Sequence, residues 1–140
     1  MKRFTTIALA AVALVAAGCG GSSRLSNAAF TSKANAICTA ANAASAKISG
    51  AAGTASIKPE EKLVTTTIAK LKALSPPTDR TAAFNSYLSY IKHVDSDLHE
   101  LVSAVASKNS AKLASIETGV TALESKGNKA AKAAGIDSCA

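Results

Sequence analysis

From Thr78 to Val105 the chain reads TDRTAAFNSYLSYIKHVDSDLHELVSAV. Phe84, Tyr87, Leu88, Ile91, Val94, Leu98, Leu101, Val102 and Val105 recur there at steps of three and four, the period of a helix that buries one face. Thr78 and Asp79 are cap-type residues, so a helix is expected to start there. Upstream, Pro76-Pro77 stops a preceding segment whose stripe is Val64, Ile68, Leu71 and Leu74. That segment opens at Pro59-Glu60-Glu61, with proline in the first turn and two carboxylates at the positive end of the dipole.

The same period extends outward on both sides. From Asn27 to Ser49, Phe30, Ala34, Ile37, Ala41, Ala44 and Ile48 form one stripe with Cys38 at its border. After Lys108-Asn109-Ser110 a last segment carries Leu113, Ile116, Val120 and Leu123, then only the small Gly127, Ala131 and Ala134 on its face. Gly135-Ile136 predicts a left-handed stop of the Schellman kind. Alanine supplies 32 of the 140 residues and aromatics only 4%, a bias toward closely packed helices. The expected fold is all-α: a four-helix up-down-up-down bundle over residues 27–140. Gly127 faces the stripe, and the alanine-rich first helix is the expected partner for its close approach.

The N-terminus predicts where this bundle lives. Lys2 and Arg3 form a positive region, and the stretch to Ala17 is apolar or small, too short to span a bilayer and stay. Residues 1–18 therefore read as an export signal that is cleaved. Ala17 and Gly18 before Cys19 resemble the lipobox of bacterial lipoprotein precursors, with Ala16 where leucine is usual and the leucine at Leu14. That resemblance implies that Cys19 is the lipid attachment site and the new N-terminus. Two acyl chains at about 0.8 kcal/mol per buried methylene then hold the protein to the outer face of the cytoplasmic membrane. Residues 19–26 become a lipidated tether, flexible over Gly20-Gly21-Ser22-Ser23. The alternative is an ordinary secretory signal, which leaves Cys19 as a free thiol or removes it.

Cys38 and Cys139 remain as an even pair in an exported protein. Cys38 lies about 16 Å along its helix, and an extended Ile136 to Cys139 covers about 13 Å, so a disulfide fits the bundle. Two reduced thiols or an intermolecular bridge remain open at this point. The whole layout, a lipobox Cys, Phe30-(x)3-Ala34-Asn35-Ala36-Ile37-Cys38, Leu74-Ser75-Pro76-Pro77 and Ala134-Gly135-Ile136-(x)2-Cys139, resembles small exported lipoproteins of actinobacteria. The resemblance implies a helical bundle with Cys38 paired to Cys139, and it carries no activity.

Candidate chemistry is sparse. His93 with Asp97, and Asp95 with His99, stand four apart and make the one metal-ligand pattern, although exposed pairs are the commoner use of such spacing. Asp95 falls at the edge of the apolar stripe, where a carboxylate needs a partner such as His99 or a lysine. No Gly-x-Ser-x-Gly elbow, phosphate loop or dinucleotide fingerprint occurs, and no inward His or Met pair suits haem, so no cofactor is expected. Two of the 16 basic residues go with the signal, leaving 14 against 9 acidic, a net of +5 without basic runs. Lys126 to Lys132 then forms a solvated face, open to anionic lipid or wall polymer; a nucleic-acid partner is not expected. The sequence thus predicts a non-enzymatic accessory or binding module anchored through Cys19, with a small-ligand or metal carrier as the alternative.

Overall fold

The computed structural model describes residues 23–48 and 53–140, so the signal and Cys19 lie outside the described residues. The chain is all-helical, with four α-helices and no strand among the described residues: α1 (Asn27–Ile48), α2 (Ile57–Lys72), α3 (Thr81–Ala106) and α4 (Ser110–Ala133). Short 3-10 turns occupy Gly53–Ser56, Thr78–Arg80 and Asp137–Cys139. No described helix is long and apolar enough to cross a membrane.

Local chemistry sets the helix ends. Ser26 Oγ accepts from the Ala29 amide at 3.2 Å and so caps α1. Thr78 and Asp79 do not start the third helix as expected: after Pro77 they enter a 3-10 turn, and Asp79 instead accepts from Asn27 Nδ2 at 3.3 Å. Gly135 (φ 69°) ends α4 as predicted, with Ile136 N–H donating to Ala131 O and Gly135 N–H to Lys132 O. The same double bond closes α3 through Asn109 to Ala104 and Lys108 to Val105, but here the left-handed position is Lys108, with φ 54°. Asn109 then turns its side chain to accept from the Lys112 amide, capping α4 at 3.0 Å. One residue finishes one helix and begins the next.

Packing follows the chain: α1 lies on α2, α2 on α3, and α3 on α4. The core gathers Phe30, Ala34 and Cys38 of α1, Leu71 of α2, Phe84, Tyr87 and Leu88 of α3, and Ala131, Ala134 and Ile136 at the end of the chain. Phe30 and Phe84 meet edge to face with ring centroids 5.0 Å apart, an arrangement that adds about 0.5–1.5 kcal/mol to area burial.

The expected approach of the first and fourth helices is not what the structure has. A Cβ on Gly127 would meet Tyr90 Cβ of α3 at 3.6 Å, so Gly127 of α4 stands against α3. The Asp137–Cys139 turn packs against α1, and Ala131 near the end of α4 shares the core with Phe30, Ala34 and Cys38 of α1. Ala41, the other half of the expected contact, lines a cleft instead.

Candidate functional site

Asn35, Cys38 and Asn42 fall on one face of α1 at helical spacing, and together they hold the C-terminal turn. Asn35 Oδ1 accepts from the Ser138 amide and Asn42 Nδ2 donates to Ser138 O, both at 3.0 Å. Between them Cys38 is bonded to Cys139, with Cα atoms 5.1 Å apart. The segment from Ile136 is not extended as expected. The 3-10 turn shortens it, and the two asparagines bring it to Cys38 sideways. Arg80 closes the same end from the other side, its Nη1 donating to Thr31 Oγ1 at 2.9 Å and to Ala134 O at 3.1 Å. A guanidinium on a terminal carbonyl of α4 suits the negative end of the helix dipole.

Beside the disulfide a cleft of about 180 Å³ opens between α1, α2 and α3. Its walls are mainly apolar, from Ala41, Leu63, Val64, Ile68, Ile91 and Val94, with the disulfide among them. Asn42, Ser45, Glu60, Thr67 and Tyr87 add polar atoms. Glu60 stands in the first turn of α2, where Ser45 Oγ donates to its Oε1 at 2.7 Å. Burial pushes the Tyr87 hydroxyl up from 10.0 to about 12, because the phenolate would lose its water. The arrangement can hold a small apolar group beside the Ser45–Glu60 pair.

The four residues with metal-ligand spacing lie elsewhere and are dispersed. Asp95 accepts from Thr65 Oγ1 of α2 at 2.7 Å, while His99 Nδ1 reaches Glu61 of α2 at 2.8 Å. The partner expected for Asp95, His99, is thus taken by α2, and a threonine stands in its place. His93 Nδ1 is 2.9 Å from Ser89 O on its own helix, and Asp97 is half-buried. Among the described residues no three His, Cys, Asp or Glu side chains gather as metal ligands.

Tyr87 and Glu60 were legible in the sequence only as core and as dipole compensation. The signal for Tyr87 was a hydroxyl on an otherwise apolar stripe; for Glu60 the sequence held none, because its proximity to Ser45 is tertiary. No family model, curated protein or solved structure matches the chain.

Proposed function

We propose that the protein is an exported, lipid-anchored binding module, of the type of small actinobacterial lipoproteins, that works without catalysis at the outer face of the cytoplasmic membrane. In this reading residues 1–18 are removed, Cys19 carries the acyl chains, residues 19–26 form the tether, and residues 27–140 follow an up-down-up-down path. The observation that supports it is the Cys38–Cys139 bond. A structural disulfide belongs to an oxidising compartment, and pairing two of the three cysteines leaves Cys19 for the lipid.

The reading also orients the bundle. Arg24 Nη1 donates to Pro76 O and Thr81 Oγ1, and the Leu25 amide donates to Ser75 O. Five residues from Cys19 to Arg24 reach at most about 17 Å, so the end carrying Ser75 to Thr81 would stand beside the bilayer. Labelling with an alkyne fatty acid, in wild type and in Cys19→Ala, tests the anchor: label is expected on wild type alone, and equal labelling rejects the reading.

A second reading, a carrier of a small ligand, is favoured by the cleft beside the disulfide. Its metal form would need His93, Asp95, Asp97 and His99, of which His93, Asp95 and His99 make separate contacts.

A further inference from the structure

The cations of the bundle are spread unevenly along its axis. Glu61 with His99 and Thr65 with Asp95 set the register of α2 on α3, Ser45 with Glu60 sets α1 on α2, and Gly127 against Tyr90 sets α4 on α3. In that register a plane just below Asp95 leaves residues 23–38, 67–94 and 124–140 on the side of Ser75 to Thr81, where the tether arrives. They carry nine cationic and three anionic side chains, a net of +6. Residues 39–48, 53–66 and 95–123, on the far side, carry five and six, a net of −1. Both ion pairs among the described residues also lie in the far half. Helix dipoles account for part of the excess, since Lys70 and Lys72 end α2 and Lys132 ends α4. Lys33, Lys92, Lys126 and Lys129 are exposed and have no such use.

Three of these cations share one surface. Two adjoining pockets on the α2–α3 side have Leu74, Pro76 and Asn85 in common; Lys72 and Lys92 also line the first, and Arg24 the second. No acidic residue lines either, and Asp79, the one carboxylate between α2 and α3, accepts from Asn27. Leu74 and Pro76 are half-buried while Arg24, Lys72 and Lys92 are exposed, so cationic heads stand around an apolar floor. Arg24 bonds to Thr81, and from Thr81 to Lys92 the strip runs about 16 Å along α3.

We propose that this strip docks on a bilayer surface containing anionic phospholipid, with phosphate groups at Arg24, Lys72 and Lys92 and the bundle leaning on its α2–α3 side. Charge complementarity selects the partner: near an anionic leaflet each Lys or Arg raises partition about fivefold, and the far half gains nothing there. The apolar floor suits lipid, which offers its glycerol and upper acyl region beside the phosphate. Acyl chains hold a protein without fixing its orientation; the strip turns the near-neutral far half away from the surface. The proposal rests on the anchored reading for its location, because Arg24 is where the tether from Cys19 meets the fold.

The test is amine acylation of the mature oxidised protein on vesicles, read lysine by lysine by mass spectrometry. The vesicles are phosphatidylcholine alone, or the same with phosphatidylglycerol at about one part in three. Lys72 and Lys92 should react at least about threefold more slowly on the anionic vesicles, with Lys58 and Lys108 of the far half equal on both. The difference should vanish in salt of about 1 M, where screening acts within about 3 Å. Lys92→Glu should remove the protection of Lys72, whereas Lys108→Glu should leave it, both with helical content unchanged. An anchor at Cys19 holds the chain to both kinds of vesicle alike, so its failure shows in the alkyne labelling and leaves this ratio unaffected. Equal reactivity of Lys72 and Lys92 on both compositions would overturn the proposal. So would equal protection of Lys58 and Lys108, which means attraction without docking, or equal protection by soluble polyglycerol phosphate, which assigns the strip to a wall polymer.

Discussion

The two ends of the α3–α4 pair carry the same helical stripe and are built differently. At the end near Phe84 and Ala134, α1, α2 and the C-terminal turn close over the stripe, and Phe30, Leu71, Phe84 and Ile136 are fully enclosed. At the end near Ala106 and Ser110, only Ala104 and Ile116 are buried, while Leu98, Leu101, Val102, Val105, Leu113 and Val120 stay half-exposed. The cause is length. With 16 residues α2 spans about 24 Å, against about 39 Å for the 26 residues of α3, and its first turns already lie at His99, where Glu61 pairs. Beyond that point α3 has α4 alone. An apolar stripe therefore says which face of a helix can be buried, and the length of its neighbours decides how much of it is.

The largest test of this contrast is a pair of truncations. Phe84→Ala should cost about 3–5 kcal/mol and Val102→Ala less than about 1 kcal/mol in urea unfolding, the first leaving a closed cavity and the second little. Comparable losses would mean that the far end is as tightly closed as the near one.

A smaller effect appears in alkali. The Tyr87 hydroxyl, raised from 10.0 to about 12, keeps its proton in the folded protein while the unfolded chain ionises above pH 10. Its contribution to stability is whole below pH 10 and falls by about 1.4 kcal/mol per pH unit up to about pH 12, roughly 2–3 kcal/mol in all. Unfolding measured from pH 9 to 12 should be less steep for Tyr87→Phe than for wild type; parallel curves would place the hydroxyl in water.

The smallest test is at the open end. Gly119 lies inside α4 with nothing within 4 Å of the position a Cβ would take. Gly119→Ala should raise stability by up to about 1 kcal/mol from helix propensity alone, and a loss in thermal unfolding would reveal a neighbour there.

Elements with local causes were legible. The Gly135-Ile136 ending, the Pro76-Pro77 break and the pairing of Cys38 with Cys139 all stand in the structure as read from the sequence. What depended on distant partners was not. Gly127 signalled a close approach, but the helix expected opposite it, α1, was the wrong one: its neighbour is Tyr90 of α3. Asp95 signalled a needed donor, and Thr65 supplies it from another helix. Lys108 carried no mark of its positive φ, because glycine is the residue by which such positions are recognised. Nothing in the sequence marked Arg80, which joins Thr31 to the end of α4.

The clasp on the C-terminal turn has a consequence for the order in which the molecule can be made. Cys38 waits 101 residues for Cys139, and Asn35 waits 103 for Ser138. Helix α1 leaves the ribosome first, but the turn that holds its Cys38 face is synthesised last, whereas α3 and α4 can pair as soon as both exist. The Cys38 thiol of the nascent chain thus has no intramolecular partner until the last residues are made, while Phe30 gains Phe84 earlier, once α3 exists.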